Sequence, residues 1–379
     1  MCLKNNRQTN DIRPSGNSPV KRAVVVLLSA IWVVCHAWGQ TGETYRIPFR
    51  VMEWNVENLF DTRHDTLKED QEFLPASVRH WTYSKYRKKL TDIARVIVAA
   101  GEWTPPALIG LCEVENDSVL DDLTRYSPLK ELGYRYVITQ SPDTRGMDVA
   151  LLYQRDVFRL LSYSSISIPP LKHARPTRDI LHVSGLILTG DTLDVLICHL
   201  PSRSRGAKES EPYRLHAASL LRQLSDSLLQ QRSNPKLIIM GDFNDYPSDK
   251  SIRMVLQANE IPHPVHGPHS SSRQQVVASQ KLYHLLAGRT QSRDFGSYKY
   301  KGEWGLLDHL IVSGSLLDRA ANFYTEGQKA NVLRLPFILT EDHQYGGYEP
   351  FRTYKGMKYQ GGISDHLPVY TDFELILEK

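Results

Sequence analysis

The chain has 379 residues, of which 41% are hydrophobic and 23% are charged, and its formal net charge is +4. The first 39 residues hold five Lys and Arg and one Asp, so the remainder carries 41 charges of each sign. This balance excludes a protein that attracts polyanions through its overall field, and any such attraction must come from a local basic patch.

The N-terminus has the features of an export signal. Lys21 and Arg22 precede an almost wholly apolar run at 23–35. Ala37 and Gly39 then place small residues at the two positions that a signal peptidase recognises before its cleavage site. A run of thirteen residues is too short to cross a bilayer as a stable helix. We therefore predict a signal peptide at 1–39 and a secreted or periplasmic protein. The alternative is an uncleaved interfacial anchor, because the polar leader is long.

Residues 40–379 are predicted to form a single domain. No Gly/Ser-rich or Pro-rich linker divides them, although this length often holds two domains. Cys112 and Cys198 each lie at the end of an apolar run, where a small buried side chain is the ordinary role. Their spacing leaves a disulfide between them open.

The first predicted elements are a strand and a helix separated by a polar stretch. Residues 49–55 alternate between apolar and polar and predict a half-buried strand that ends at Asn55. Residues 61–83 are polar and aromatic and predict a surface excursion. Apolar residues at three- and four-residue intervals predict an amphipathic helix over 84–100, capped by Ser84.

The next strands end in a glutamate and a histidine. The apolar run 107–112 predicts a buried strand that ends at Glu113. Further strands are predicted at 134–139, 148–153, 180–188 and 193–198, with a hairpin turn at Gly190-Asp191. The last of these strands ends at His199.

A basic loop follows His199. Its cations, Arg203, Arg205 and Lys208, are typical either of a solvated loop or of an anion-binding site. A helix is predicted over 209–231, and the apolar run after it stops at Gly241. Asp242 and Asn244 then follow two residues apart, which places both side chains on one side of an extended segment, although the same residue types also form turns.

The C-terminal third supplies the remaining polar residues. A helix is predicted at 249–258, and the irregular setting of His263, His266 and His269 favours a surface loop over a metal site. A buried strand predicted at 306–312 places Asp308 inside a sheet, and a closing strand follows Asp365 and His366.

Eight polar residues therefore lie at predicted strand ends: Asn55, Glu113, His199, Asp242, Asn244, Asp308, Asp365 and His366. Buried carboxylates are costly unless a cation or a donor pairs with them. Carboxylate oxygens suit Mg²⁺, with Mn²⁺ as the alternative ion. A hard cation beside histidines, asparagines and arginines favours phosphoryl transfer. The chain has no Gly-rich loop followed by Lys-Ser/Thr, which argues against a nucleotide-hydrolysing P-loop.

Six motifs occur in one order along the chain: Trp54-Asn55-Val56, Glu113 after an apolar strand, His199-Leu-Pro, Gly241-Asp-Phe-Asn244, Leu307-Asp308 and Ser364-Asp365-His366-Leu-Pro. In this order they resemble the endonuclease/exonuclease/phosphatase superfamily, over about residues 49–375. That superfamily includes pancreatic deoxyribonuclease, abasic-site endonucleases, neutral sphingomyelinases and inositol polyphosphate phosphatases. The resemblance implies a four-layer α/β/β/α sandwich of two mainly antiparallel sheets flanked by helices.

The resemblance also implies residue roles. Glu113 is expected to be the principal Mg²⁺ ligand, assisted by Asn55 and Asp365. Asp242 is expected to orient or deprotonate the attacking water, and Asn244 to hold the scissile phosphate. Asp308 is expected to orient His366, and His366 and His199 to donate to phosphoryl oxygens or to the leaving group.

One part of the superfamily pattern has no clear equivalent here. In the nuclease branch a second glutamate or an aromatic residue helps to position the active-site groups before the central strand. Asp148 and Arg145 are the nearest candidates. Our hypothesis is that Asp148 supports His199 and that Arg145 contacts phosphate.

The predicted function is that of an exported Mg²⁺-dependent phosphodiesterase, an endonuclease-like hydrolase of nucleic acid. The basic residues Arg203, Arg205 and Lys208 are expected to follow a nucleic-acid backbone. The residues expected to stack on or flank a base are Tyr298, Tyr300, Trp304, Arg352 and Tyr354. The alternatives are a sphingomyelin, phospholipid or inositol-phosphate hydrolase of the same superfamily, or a surface binding protein without turnover. A monomer without a stable protein partner is expected.

Overall fold

The structure is a computed structural model that describes residues 44–172, 174–262 and 277–378. Within these ranges the chain forms twenty strands and three α-helices. The strands are β1 (Thr44–Leu59), β2 (Leu108–Val114), β3 (Arg135–Ile138), β4 (Asp148–Tyr153), β5 (Phe158–Ile166), β6 (Ile180–Ile187), β7 (Thr192–His199), β8 (Lys236–Asp242), β9 (Ala258–Glu260), β10 (Leu282–His284), β11 (Tyr298–Tyr300), β12 (Glu303–Gly305), β13 (Asp308–Ser313), β14 (Phe323–Thr325), β15 (Asn331–Val332), β16 (Leu339–Glu341), β17 (Tyr348–Pro350), β18 (Tyr354–Lys355), β19 (Lys358–Tyr359) and β20 (Val369–Glu378). The helices are α1 (Tyr83–Gly101), α2 (Asp117–Arg125) and α3 (Ala207–Gln231). Within these ranges, no helix has both the length and the apolar character needed to cross a bilayer.

Two seven-stranded sheets make up the centre of the fold. Sheet 1 has the order β14-β20-β1-β2-β4-β3, with β15 also paired to β20, and sheet 2 has the order β5-β6-β7-β8-β13-β10-β9. Most of the pairs are antiparallel, but β1 runs parallel to β2, β7 runs parallel to β8 and β9 runs parallel to β10. These parallel pairs bring the ends of neighbouring strands to the same edge of each sheet.

Alternating side chains show that the two sheets are stacked. In β8, Ile238 and Met240 belong to the core shared with sheet 1, whereas Leu237 and Ile239 belong to the core beneath α3. Met240 lies against Gly110 of β2, where an added methyl group would be 3.0 Å from the Met240 side chain. Strands β7 and β13 divide their side chains in the same way, as expected for strands buried on both faces.

The helices cover the outer faces of the two sheets. Leu90, Ile93 and Ile97 of α1 are fully buried in the core of sheet 1. Ala217 and Leu221 of α3 are fully buried against sheet 2. The result is a four-layer α/β/β/α sandwich of mixed, mainly antiparallel sheets, and the predicted fold class is confirmed.

Several predicted boundaries are close to the observed ones, and several elements differ. Strand β4 has the predicted bounds, whereas α1 begins at Tyr83 and its N-cap, Thr82, makes no side-chain capping hydrogen bond, so the predicted Ser84 cap is wrong. The predicted helix at 249–258 is a short π-helical turn, Ser251–Leu256. Strand β5 and helix α2 are unpredicted. The largely exposed, Ser-rich residues of β5 form a sheet edge, so its sequence lacks the apolar pattern of an inner strand.

The segment 61–83 is more than the predicted surface excursion. Phe73 stacks on Phe60 with ring centroids 4.1 Å apart. The Trp81 indole is buried and donates a hydrogen bond to the backbone oxygen of Phe60 at 2.9 Å. These contacts hold the segment against the end of β1 and place Arg79 beside a cavity described below.

Cys112 and Cys198 are both buried and both free. The Cys112 thiol donates to the backbone oxygen of Cys198 at 3.6 Å, so the two residues are neighbours across the sandwich without a covalent bond. The open question of a disulfide is thereby answered for this structure. The predicted signal peptide and the three histidines at 263–269 lie outside the described residues.

Candidate active site

Three catalytic candidates lie side by side at one edge of sheet 2. His199 is in register with Asp242 across the parallel pair β7–β8, and Asp308 is in register with Asp242 across β8–β13. Gly241 makes this approach possible: its φ is +143°, and an added Cβ would lie 1.8 Å from the Cys198 carbonyl oxygen. The side chain of Asp242 continues the series of β8 residues that face sheet 1, so all three side chains enter the space between the sheets.

Asn55 joins the two sheets at this edge. Its Nδ2 atom donates to Glu113 Oε1 at 3.1 Å and to Asp242 Oδ2 at 3.0 Å, while its Oδ1 atom accepts from the Glu57 backbone N–H at 2.9 Å. This hydrogen bond to Oδ1 fixes the amide with its donor towards both carboxylates. In this structure Asn55 therefore orients Glu113 and Asp242, and its role as a metal ligand stays a prediction.

Backbone conformations with positive φ are concentrated at the site. Glu57, Asn58, Glu113 and Asn244 have φ values of 49°, 52°, 66° and 52°. Such conformations are rare for residues other than glycine and persist where the surroundings hold them. Here they turn the Asn58 N–H towards Glu113 Oε2, at 2.8 Å, and the Asn244 N–H towards Asp242 Oδ1, at 2.8 Å.

His366 and Asp308 form a buried dyad. The Nδ1 atom of His366 donates to Asp308 Oδ2 at 2.7 Å, and Ser297 Oγ donates to the same oxygen at 2.5 Å. Burial lowers the pKa of His366, but the charges of Asp308 and Asp242 outweigh it and raise the pKa well above its usual value. His366 is therefore cationic at neutral pH, with Nε2 at 3.9 Å from Asp242 Oδ2.

His199 has the opposite protonation state. Its Nε2 atom is 3.5 Å from Asp242 Oδ2 and 3.9 Å from Glu113 Oε1. Burial, followed by the positive charges of Arg178 and Arg145, lowers the pKa of His199 well below its usual value. The site thus holds one cationic and one neutral imidazole, and burial raises the pKa of Asp242 between them to about 7.

The predicted support of His199 by Asp148 is wrong in this structure. Asp148 Oδ1 instead accepts from Thr139 Oγ1 at 2.5 Å and from Ser141 N and Oγ at 2.8 and 2.5 Å. Among the described residues, the Nδ1 atom of His199 has no hydrogen-bond partner. Asp148 therefore holds the turn before β4, and its contribution to His199 is at most indirect.

The oxygen donors at this edge fit a hard divalent cation. Glu113 and Asp365 line a cavity of about 220 Å³ together with Glu57. The Asp365 carboxylate also accepts from Arg352, and each carboxylate oxygen keeps a free lone pair. Glu113 and Asp365 are the residues that would hold Mg²⁺ or Mn²⁺, and Asn55 would hold Glu113 in place.

A second cluster of metal-ligand type is formed by Asp242, Asp308 and His366, whose nearest ligand atoms lie within 4.8 Å of one another. The Asp308 oxygen in this cluster already accepts from Ser297 and His366, and His366 is cationic, so its ring nitrogens are donors. The cluster is therefore better described as a hydrogen-bonded group than as the cation site.

The predicted substrate-contact residues are spread over the rim. Tyr298 lies against His366 with ring centroids 4.9 Å apart, and Tyr300 beyond it is 60% exposed. Arg203 Nη1 donates to Asp249 Oδ2 at 3.2 Å, and its guanidinium lies 4.7 Å from the centroid of the Tyr246 ring. Part of its hydrogen-bonding capacity is therefore taken by contacts within the protein. Arg145 is exposed and lines a second cavity.

Three residues at the site, Glu57, Arg79 and Lys89, have no role in the sequence prediction, whereas Arg352 was expected beside the substrate. Arg79 and Arg352 line the cavity of Glu113, and Lys89 is buried beneath it, where Nζ donates to Thr353 Oγ1 at 2.7 Å. Burial lowers the pKa of Lys89 to about 8, and burial followed by the charge of Asp365 raises the pKa of Glu57 to about 7. Arg79 comes from a loop and Lys89 from α1, and neither belongs to a recognisable motif, so only their spatial neighbours identify them. Glu57 lies in β1 directly after the Trp54-Asn55-Val56 motif.

The four-layer sandwich, with polar residues that meet at one edge of its two stacked sheets, defines a class of protein, the phosphoesterase fold. The chain belongs to the endonuclease/exonuclease/phosphatase family, whose sequence model matches residues 50–375. Members of this family hydrolyse phosphoesters and typically depend on a divalent metal. No curated protein matches the sequence significantly.

Solved structures share the fold at low sequence identity. An endonuclease/exonuclease/phosphatase family protein from Bacteroides thetaiotaomicron is 14% identical, with a TM-score of 0.51 over 88% of this chain and 97% of its own. A mannosyl-6-phosphatase from the same organism is 15% identical, with a TM-score of 0.50 over 87% and 99%. A humanized D. rerio TDP2 is 12% identical, with a TM-score of 0.50 over 86% and 98%. At these identities the similarity shows the fold alone.

Proposed function

We propose that the protein is an exported, divalent-metal-dependent phosphodiesterase that acts on nucleic acid. The observation that carries this proposal is the convergence of Glu113, Asp242, His199 and the His366–Asp308 dyad at one edge. These groups combine metal-binding oxygens, a candidate base and a cationic donor at one edge of the two sheets. That combination suits a phosphate ester, where catalysis consists mainly of positioning and charge stabilisation.

The site residues divide the reaction between them. Asp242, whose pKa is near 7, is suited to accept a proton from the attacking water at neutral pH. Cationic His366 donates to a phosphoryl oxygen or to the leaving oxygen, and Asp308 keeps its Nδ1 proton in place. Asn244 bonds to the Leu200 carbonyl oxygen through Nδ2 at 3.0 Å, which leaves its second amide hydrogen for the phosphate.

A divalent cation held by Glu113 and Asp365 would act as a Lewis acid that withdraws charge from the phosphoryl oxygens. Arg352, bonded to Asp365, orients that carboxylate. Buried Asn55 and the Asn58 N–H orient Glu113. The chain thus prepares the cation site before any substrate arrives.

Support for nucleic acid comes from the rim of the site. Tyr298 and Tyr300 are two residues apart in β11, so their side chains share one face and lie about 7 Å apart along the strand. Exposed tyrosines at such a spacing are suited to contact successive bases. Among the fold relatives, the mannosyl-6-phosphatase is named for a sugar phosphate, so a phosphomonoester belongs in the substrate panel.

Metal removal and a substrate panel test this proposal. With Mg²⁺, residues 40–379 are expected to cleave single-stranded DNA or RNA and bis-p-nitrophenyl phosphate, and EDTA should reduce the rate to background. Restoring Mg²⁺ should restore the rate. Sphingomyelin and mannose 6-phosphate in the same panel separate the lipid and phosphomonoester alternatives. Binding without turnover of any substrate would instead support the non-catalytic binding protein.

Export is a separate proposal that rests on the leader at 1–39. Expression of the full chain in a Gram-negative host is expected to yield a periplasmic or secreted protein that begins at Gln40. N-terminal sequencing of the mature protein measures this directly. An intact N-terminus on a membrane-associated protein would favour the interfacial anchor instead.

A further inference from the structure

A second cavity of about 760 Å³ opens beside His199, and among its lining residues only Pro201 belongs to one of the family motifs. Its polar lining includes Arg145, Arg178 and Ser202. Its apolar lining includes Pro201 and Tyr213. A cavity of this size is large enough for a ring-bearing substrate fragment.

Arg178 is the unusual group in this cavity. Its side chain is only 6% exposed, yet its one hydrogen bond within the described chain runs from Nη2 to the Leu200 carbonyl oxygen, at 2.9 Å. The nearest carboxylate oxygen, Asp143 Oδ2, is 3.6 Å from Nη1, and the Nε–H has no partner among the described residues. A guanidinium has five N–H donors, and leaving buried donors unused is costly. Such an arrangement indicates a site for an acceptor that the protein does not supply.

The charge at this point is also incompletely neutralised. Arg145 Nε is 3.9 Å from Asp143 Oδ1, so the two guanidinium groups share one carboxylate and neither lies within hydrogen-bond distance of it. Asp143 Oδ1 is engaged by the Arg145 backbone N–H at 2.9 Å. The remaining arginine of the cavity, Arg175, is exposed and pairs with Glu69 at 3.4 Å. Glu209 also lines the cavity, so the excess positive charge is local: it lies at Arg145 and Arg178, which share the single carboxylate of Asp143.

The cavity is close to the catalytic residues. The Leu200 carbonyl oxygen accepts from both Arg178 Nη2 and Asn244 Nδ2, which places these two nitrogens at most about 6 Å apart. The charge of Arg178 also reaches His199, where it helps to lower the pKa. A group held by Arg178 would thus adjoin the phosphate that Asn244 contacts.

We propose that this cavity is a subsite for a second phosphate group of the substrate, next to the scissile one, with Arg178 and Arg145 as its ligands. This inference rests on the proposed function and narrows it to substrates with at least two neighbouring phosphates. The planar guanidinium of Arg178 offers a phosphate two parallel N–H donors. Pro201 and Tyr213 would face the sugar or base that joins the two phosphates.

Two chromogenic esters that differ only in the second phosphate test the subsite. They are thymidine 5′-(p-nitrophenyl phosphate) and its 3′-phosphorylated form. The wild-type protein is expected to prefer the 3′-phosphorylated ester by at least about tenfold in kcat/KM, because a charge-assisted hydrogen bond to phosphate is worth this much. Arg178→Met should reduce that preference to near one, mainly by raising KM for the bisphosphate. A preference that persists unchanged in Arg178→Met and Arg145→Met would overturn the proposal.

Further variants control for folding and for net charge. Arg145 is half exposed, so Arg145→Met should fold even if Arg178→Met does not, and it should reduce the preference by several-fold. Arg178→Lys keeps the charge without the planar fork and should recover only part of the preference. Arg319→Met removes an exposed arginine that pairs with Glu326, and it should leave the preference unchanged.

A binding measurement separates this proposal from the proposed function. If the wild-type protein hydrolyses neither ester with Mg²⁺, the phosphodiesterase proposal fails. The subsite is then tested by calorimetric titration of the protein with thymidine 3′,5′-bisphosphate. Binding that Arg178→Met weakens by about tenfold or more would support the subsite without turnover. Equal binding by the wild-type protein and both methionine variants would reject it.

Discussion

Replacing Glu113 by glutamine is expected to abolish metal-dependent hydrolysis, with a loss of at least about a thousandfold in kcat/KM. The Glu113 carboxylate lines the 220 Å³ cavity, and Asn55 and the Asn58 N–H orient its two oxygens by hydrogen bonds. Its negative charge is therefore held where a cation would bind. Glutamine keeps the shape but offers one neutral oxygen in place of two charged ones. Calorimetric titration with Mg²⁺ or Mn²⁺ should show weakened binding in parallel with the lost activity.

Glu115 offers a matched control two residues away. Its carboxylate accepts from the Asp61 backbone N–H at 2.7 Å, and burial raises its pKa to about 8, so it is mostly neutral at pH 7. Glu115→Gln therefore changes little charge and is expected to keep both metal binding and turnover. Full activity in Glu113→Gln, or an equal loss in both variants, would contradict the assignment of Glu113 as the cation ligand.

Replacing Asp242 by asparagine is expected to lower kcat by about a hundredfold to ten-thousandfold while metal binding is largely kept. Asp242 is fully buried between His199 and His366 and accepts hydrogen bonds from Asn55 and from the Asn244 N–H. Asparagine cannot take a proton from water, and its amide hydrogens would oppose the Asn55 donor. Single-turnover kinetics with saturating bis-p-nitrophenyl phosphate, together with metal titration, measures the two effects separately.

Asp226→Asn serves as the control for this substitution, because Asp226 is partly exposed on α3 and pairs with Arg222 at 2.5 Å. It should retain wild-type kcat. If Asp242→Asn turns over at the wild-type rate, the base is another group. If it loses metal affinity as strongly as Glu113→Gln, then Asp242 binds the cation directly.

The catalytic strands could be predicted well because their sequence patterns are local. A buried strand needs an apolar run and ends where polar residues begin, so β2, β7, β8 and β13 are visible in the sequence. The order of six short motifs then indicated the family, which the match over residues 50–375 establishes. Edge strand β5 and the small hairpins near Tyr298 and Tyr348 lack such runs and were not predictable in the same way.

Hydrogen-bond partners were much less predictable than positions. Asp148 has the residue type expected of a support for His199, yet it bonds to Thr139 and Ser141 instead. Asn55 is at the predicted place, but the Glu57 N–H occupies its carbonyl oxygen and turns its amide towards two carboxylates. A side chain that shifts by a few ångströms, or an amide group that rotates, changes its hydrogen-bond partners and therefore its role. The amino-acid sequence alone does not specify such small differences in geometry.

The sequence therefore determined which residue types stand at the ends of the buried strands, since strand period and apolar runs are properties of neighbouring residues. Tertiary structure alone decided that Asp242, His199 and Asp308 share one register and that Asn55 bridges them to Glu113. It also placed Arg178, from a Pro-rich loop, beside Asn244, where the Nε–H of Arg178 has no hydrogen-bond partner among the described residues. These contacts join residues far apart in the chain, and they depend on the stacking of two sheets.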